Sequence, residues 1–376
     1  MQLLFIILLT LLVAWDAIIL MLFLSSFLFK NRLEKAGRLP EILVLIPAHN
    51  EEQVIETTLS TLKEAPARVV VVADHCNDRT PEIARRLGFE TFIFNQGNSS
   101  TKAKALAAAL DFYKTESWDY LMIMDADNIL SGNFWIVLPE VLASNPQVLQ
   151  VEARPANPKS SLTTKMITVL YGFLNRVIQR GRAVLGLNAN LCGTGMLFKR
   201  DVLLSKVPWD KNMGLVEDIF YQIRLYEKDI PICWADSIWV VDEKPRGLKY
   251  SIVQGSRWLR GRIETITKCA KLFPRRPALA CSAIWTILPK PVFWIAFLLA
   301  NLNGITSFLP WKFIIPLLMF PWIAWVLPSF IFTPYQVGSI ALLFPLWQMG
   351  VQILHLGQAI WDRGKGWRHT RHFGHD

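Results

Sequence analysis

The chain has 376 residues, carries 40 Lys and Arg against 30 Asp and Glu for a formal net charge of +10, and is 52% hydrophobic with 15 Trp. Its mean hydropathy of +0.30 makes it too apolar to be disordered. Only 19% of its residues are charged, against roughly 25% in soluble domains, which assigns part of it to lipid-facing segments. Cys76, Cys192, Cys233, Cys269 and Cys281 form neither a C-x-x-C pair nor a metal-ligand spacing, so neither a disulfide framework nor a zinc site is implied, and the soluble part reads as cytoplasmic.

Residues 1–29 form an apolar run interrupted by Asp16 and by Ser25 and Ser26, longer than the roughly 20 residues that span a bilayer. A transmembrane helix is expected. Lys30, Arg32, Lys35 and Arg38 follow the run, which argues against a signal peptide and places the next domain in the cytoplasm by the positive-inside rule. Asp16, near mid-membrane, either faces other helices or a polar cavity, or is a tolerated, protonated acid.

From residue 41 to about 240, β-rich runs alternate with polar-faced helical segments, the pattern of an α/β domain with a largely parallel sheet. Strands are expected at 42–46, 69–73, 91–94 and 120–124, each followed by polar or small residues at the edge where open α/β sheets bind ligands. No G-x-G-x-x-G or G-x-x-x-x-G-K-[ST] follows any of them, so a dinucleotide dehydrogenase and a P-loop NTPase lose their main support. Between Lys244 and Arg276 ten basic residues face one acid, Glu264. That stretch is a juxtamembrane segment on anionic headgroups, a phosphate-binding wall, or both; it runs into apolar sequence rather than a base-stacking platform, which argues against nucleic acid as a partner.

Apolar runs near 292–309, 313–332 and 337–360 are expected to be membrane helices, with 277–289 interfacial. Three full crossings would leave the tail outside, whereas Arg363, Lys365, Arg368 and Arg371 favour the inside, so one run is re-entrant or interfacial. The expected division is an N-terminal transmembrane helix (1–29), a cytoplasmic catalytic domain (41–265), a juxtamembrane segment (266–290), C-terminal transmembrane helices (291–361) and a basic tail (362–376).

Asp125-Ala126-Asp127 stands at the end of the fourth predicted strand, where two acids at i and i+2 can share a divalent cation with substrate phosphates, or else form a solvated turn or cap a helix. Asp74 ends the second strand and can accept hydrogen bonds from a base or ribose; Asp78 and Thr80, before Pro81, are better explained as helix caps. Glu217-Asp218 opens a helical stretch, where an acid either complements the helix dipole or serves as a general base. His49 is the rival base, or a binding or packing residue. Gln254, Arg257 and Trp258 share one side of an amphipathic helix, suited to a diphosphate and a sugar face, or to an interfacial anchor.

In this order the elements resemble a membrane-bound glycosyltransferase of family 2, the group that includes cellulose, chitin and hyaluronan synthases and ceramide glucosyltransferases. The resemblance covers residues 41 to about 265. It implies a GT-A α/β domain with flanking transmembrane helices. Ile46-Pro47-Ala48-His49-Asn50-Glu51-Glu52 resembles the family's opening strand and nucleotide-contacting turn, which brings in Pro47, His49 and Glu51. Asp74 then implies uracil or ribose contact, Asp125 and Asp127 the metal and diphosphate, and Asp218 the base. Cys192, Gly193 and Thr194 resemble the acceptor-side loop, and Gln254, Arg257 and Trp258 match Q-x-x-R-W. Where relatives often show Gly-Lys-Gly, this chain has Thr101-Lys102-Ala103, so Lys102 either contacts phosphate or is a solvated residue at the start of an Ala-rich helix.

The resemblance implies an inverting transfer from a nucleotide-sugar, a UDP-sugar foremost, with Mg²⁺ or Mn²⁺ because only oxygen ligands are on offer. The small number of expected helices favours a lipid or membrane-adjacent acceptor over a processive polysaccharide synthase. A nucleotide-sensing transport or scaffold protein and a nucleotidyltransferase are the readings of other classes.

Overall fold

The computed structural model describes residues 2–272 except 32, 36, 98–100 and 215, together with 274, 323–332 and 338–362. The expectations for 277–289, 292–309 and the tail beyond 362 lie outside the described residues. In chain order, α1 (Gln2–Ser26) precedes β1 (Ile42–Ala48), α2 (Ile55–Ser60), β2 (Arg68–Asp74), α3 (Thr80–Arg86), β3 (Glu90–Phe94) and α4 (Lys102–Tyr113). There follow β4 (Tyr120–Ile123), β5 (Ile129–Leu130), α5 (Phe134–Leu142), β6 (Val148–Pro155), α6 (Leu162–Phe173) and, after a π-helical turn, α7 (Arg180–Val184). β7 (Met196–Lys199), α8 (Glu217–Glu227), β8 (Ile232–Asp242) and α9 (Leu248–Leu272) complete the domain; α10 (Ile323–Phe332) and α11 (Phe344–Trp361) lie beyond it.

The strands form one sheet in the order β3-β2-β1-β4-β7-β6-β8-β5. All four predicted strands are present, and β3-β2-β1-β4 are parallel throughout. The other half is mixed: β7 runs antiparallel to β4 and to β6, and β5 antiparallel to β8. The reason is where β7 starts. The loop through Cys192 and Gly195 returns the chain to the edge at which β4 ends, so β7 must run away from it. β-branched alternation fills both faces: Leu43, Leu45, Val70 and Val72 pack toward α4, while Ile42, Val44, Val69 and Val71 pack toward α3 and α5. Each such fully buried side chain contributes about 1.5–3 kcal/mol.

The N-terminal helix is not a detached anchor. Ile19, Leu22 and Phe23 pack with Phe173, Val177 and Ile178 of the α6–α7 helical run and with Ala324 of α10. Asp16 is buried and accepts a hydrogen bond from the Trp325 indole at 3.3 Å, so it faces another helix. Just past α1, Asn31 donates to Asp236 Oδ1 at 2.8 Å. Asp236 sits where the β6–β8 register jumps, Val151 pairing with Ala235 and Glu152 with Trp239, and it also binds Arg176 and Arg180. Among the described residues, Ser339–Trp361 is the one helix long and apolar enough to cross a membrane; Val13–Ser26 and Ile323–Phe332 are shorter apolar stretches.

Gly181 is where α1 comes closest, since an added Cβ would lie 2.8 Å from the Leu22 Cα and nearer still to its carbonyl oxygen. Gly181→Ala should therefore lower stability by about 1–3 kcal/mol through overpacking, read as a drop in the thermal unfolding midpoint of the detergent-solubilised chain.

Candidate active site

The first half of the sheet delivers its strand ends to one edge. β1 carries Pro47 near its end and runs into the turn that bears His49 and Glu51, and His49 Nδ1 donates to the Asp74 carbonyl at 2.6 Å, joining the ends of β1 and β2. That bond commits Nδ1 of the rival base to the framework of the turn. Asp74 is buried, and His75 Nδ1 lies 2.8 Å from its Oδ1, a bond that raises the His75 pKa above its ordinary value. Asp78 accepts from the Thr80 and Glu52 backbone N–H groups, each at 3.0 Å, and so ties the turn after β1 to that after β2; the N-cap of α3 is Arg79, without a side-chain cap, so neither Asp78 nor Thr80 fills the capping position expected of it.

β4 presents Asp125 and Asp127. The Asp125 N–H donates to Thr194 Oγ1 at 3.2 Å and to Asn128 Oδ1 at 3.3 Å, while Asn128 Nδ2 donates to Asp127 Oδ1 at 3.1 Å. Asp127 is buried, and its pKa is pushed well above the ordinary carboxylate value, first by burial and then by Asp242, Asp125 and Glu51. So concentrated a negative field fits a divalent cation. Among the described residues no group of three or more His, Cys, Asp or Glu is arranged to hold a metal by itself.

Lys102 joins the acids from different strands. Thr101 caps α4 and sets Lys102 at its first turn, from which Nζ reaches Asp125 Oδ1 at 2.5 Å, the Gly193 carbonyl at 2.7 Å and Glu217 Oε1 at 3.3 Å. Burial alone would depress its pKa, but Asp125 and Glu217 more than offset this and hold it raised. Lys102 is therefore held by the acids of the site, with its side chain 23% exposed. Asp218, beside Glu217 at the start of α8, accepts from the Ile219 N–H at 2.8 Å, and its Oδ2 lies 3.6 Å from where a Gly193 Cβ would stand. Gly193 has φ +81°, so a side chain there would be strained, although its Cβ would meet the acid only at ordinary contact distance. Burial and the Glu217 charge raise the Asp218 pKa to about 7, against the opposing pull of Lys102 and Arg262.

α9 brings Arg257 to the same acids. Burial pulls its pKa below the ordinary guanidinium value, opposed by Glu217, Asp125 and Asp218. Gln254 and Trp258 lie half-buried on that helix, and neither forms a hydrogen bond among the described residues. The structure thus gathers Lys102, Asp125, Asp127, Gly193, Thr194, Asp218 and Arg257, with Asp74 and His49 at neighbouring strand ends.

Sequence reasoning missed the residues that hold the loop. Buried Gln150 in β6 donates to the Val151 and Thr194 carbonyls, each at 2.8 Å, and accepts from the Cys192 N–H at 2.9 Å. Gln222 accepts from the Leu191 N–H at 2.7 Å, and Gln179 accepts from the Asn190 N–H at 2.9 Å and donates to the Asn190 carbonyl at 2.8 Å. A glutamine within the apolar run Val148–Val151 was the one available signal. Also missed were Asp242, which faces Asp127, and Lys244, whose Nζ donates to the Tyr171 hydroxyl at 2.7 Å.

A mixed sheet with this acidic edge is an α/β domain of the GT-A-like class. A mannosyltransferase from Pyrobaculum calidifontis, solved with GDP-mannose and Mn²⁺, shares the fold at a TM-score of 0.60 over 95% of this chain and 99% of that one, with 17% identity. The chain belongs to glycosyltransferase family 2, since the model described as "Glycosyltransferase like family 2" matches residues 40–261. It is 28% identical over 240 residues to poly-β-1,6-N-acetyl-D-glucosamine synthase of Staphylococcus aureus, covering 60% of this chain and 56% of the relative. To a probable glycosyltransferase of Bacillus subtilis it is 26% identical over 246 residues, covering 62% and 58%. The chain therefore spans little more than half the length of the curated relatives it matches.

Gln150→Leu would strand the Cys192 N–H and the Thr194 carbonyl, each orphaned group costing about 1–3 kcal/mol. The expected outcome is a lower thermal unfolding midpoint than the parent's, checked by scanning calorimetry of the two purified proteins.

Proposed function

We propose that the protein is an inverting glycosyltransferase that moves a sugar from a nucleotide-sugar, a UDP-sugar foremost, to a hydroxyl of a lipid or membrane-adjacent acceptor. The observation that carries this reading is the Lys102 bridge from Asp125 to Glu217, with Gly193 against Asp218, since acids from β4 and α8 that meet at one edge of the sheet are what such a transfer requires. Asp74, His49, Pro47 and Glu51 line the nucleotide end. Asp127, assisted by Asp125, would hold Mg²⁺ or Mn²⁺ together with the donor diphosphate, and the ion would supply Lewis-acid stabilisation of the charge that develops there.

Arg257 adds a guanidinium to the same diphosphate, and Lys102 keeps the acids from repelling it. Asp218 takes the proton from the attacking hydroxyl, which the loop of Cys192, Gly193 and Thr194, with Gln254 and Trp258, brings to the sugar face opposite the leaving group. Residues 41–265 would work on the cytoplasmic side, with 1–29 and 291–361 in the membrane. The apolar helix at 339–361 and the seating of α1 against α6, α7 and α10 support that placement.

Asp218→Asn should keep UDP-sugar binding and lose transfer by about 10² to 10⁴-fold, the usual contribution of a positioned base. In the parent protein the raised pKa fixes the sign of the pH dependence. The carboxyl is protonated and unable to accept below about 7, so kcat should fall as pH drops through that value. A wild-type rate in the variant removes Asp218 from the mechanism.

A second reading is favoured by the named activity of the Staphylococcus relative: a polysaccharide synthase. Incubation of the purified chain with a panel of radiolabelled nucleotide sugars and membrane lipid separates the two, since the proposed acceptor puts label into an organic extract and the alternative puts it into a long polymer.

A further inference from the structure

The helix that carries Gln254, Arg257 and Trp258 has a glycine in its interior at 255, where glycine costs about 1 kcal/mol relative to alanine. The structure shows what that glycine makes room for. The imidazole of His355, from the apolar helix α11, packs against the bare backbone: a Cβ built on Gly255 would fall 2.6 Å from His355 Nδ1 and closer still to Cε1 and Nε2. The two helices run side by side in the same direction, and Arg260 Nη1 donates to the Asp362 carbonyl at 2.9 Å further along. A polar ring in so apolar a helix is expected to face protein rather than lipid, and here it faces the active-site helix.

On its other flank the same helix is pinned by a second close approach. A Cβ on Gly261 would stand 2.6 Å from the Val216 side chain, directly before Glu217 and Asp218. α9 is therefore held between the segment that bears the acid and the apolar helix, with contact at a glycine on each side. Arg262, one turn along from Trp258, has a buried Nε without a hydrogen-bond partner and lies beside Asp218, Cys192 and Tyr171. A shift of α9 by a few tenths of an ångström moves both Arg257 and Arg262 relative to the reacting groups.

We propose that His355 is a positioning residue for the transfer: seated on Gly255, it sets how deeply the Q-x-x-R-W helix lies against the site, and so couples the apolar C-terminal helix to Arg257. The inference rests on the transferase reading above, and turnover by the parent protein is the control that tests that reading separately. If the parent transfers no sugar, the reading fails; if it does, the variants decide the role of His355.

The test is a space exchange in the full chain, reconstituted in lipid nanodiscs with the UDP-sugar that the parent turns over. Gly255→Ala puts a methyl group where the ring sits and should lower kcat at least about tenfold, as expected when a catalytic group is displaced by a fraction of an ångström, and should weaken UDP binding in the presence of Mn²⁺ as well, because Arg257 moves with the helix. Gly255→Ala combined with His355→Ala returns the room and should restore most of the lost kcat, which general destabilisation would not do. His355→Ala alone, which creates no clash, should fold and lower kcat a few-fold, and it serves as the measurement should Gly255→Ala fail to fold. A wild-type kcat in Gly255→Ala or in His355→Ala, or a double variant no faster than folded Gly255→Ala, overturns the proposal.

Discussion

Four carboxylates that repel one another must share the ligand edge of this sheet, and the Lys102 ammonium is what makes that arrangement tenable. Two acids about 4 Å apart near a protein surface repel by about 4 kcal/mol at an effective dielectric of about 20. A cation 2.5 Å from Asp125 and 3.3 Å from Glu217 offsets that and ties α4 to β4 and α8 at the same time. Its third contact, to the Gly193 carbonyl, fixes the loop that faces Asp218. The reversal of β7 follows from the same constraint, because the loop has to reach the acids before the strand can begin.

A second ionic cluster settles how the N-terminal helix meets the domain. Asp236 and Glu152 are buried, and neither is left uncompensated: Arg176 bridges both, Arg180 adds to Asp236 and Arg154 to Glu152. A buried carboxylate stripped of such partners is strongly destabilising, so the strand irregularity at Asp236 and the placement of Asn31 are mutually required. The irregularity turns a side chain of β8 outward to meet the linker, and α1 then lies on Gly181 with no room for a larger residue.

The sequence showed most of the first half of the fold because its signals are local. Runs such as Val69–Ala73 are continuous and β-branched, as a strand covered on both faces must be, and the acids follow them directly. The lysine at 102 was visible but its partners were not, since Asp125 and Glu217 lie 23 and 115 residues away. Gln179 and Gln222 were silent for a related reason: an amide that hydrogen-bonds a distant backbone looks, in sequence, like any polar residue, and only Gln150 stood out by its apolar neighbours. The mixed pairing of β7 and β5 was equally hidden, because direction depends on where a loop returns the chain. Gly255 and Gly261 stood in plain view, yet only the neighbours at His355 and Val216 explain them.

The three glutamines have a thermodynamic consequence for ligand capture. A loop pegged by side-chain amides from β6, the α6–α7 run and α8 is already fixed in shape when the chain folds, so little ordering entropy remains to be lost if the proposed acceptor arrives there. Occupancy of that loop should therefore carry a small entropic penalty and a rate of association limited by encounter rather than by rearrangement.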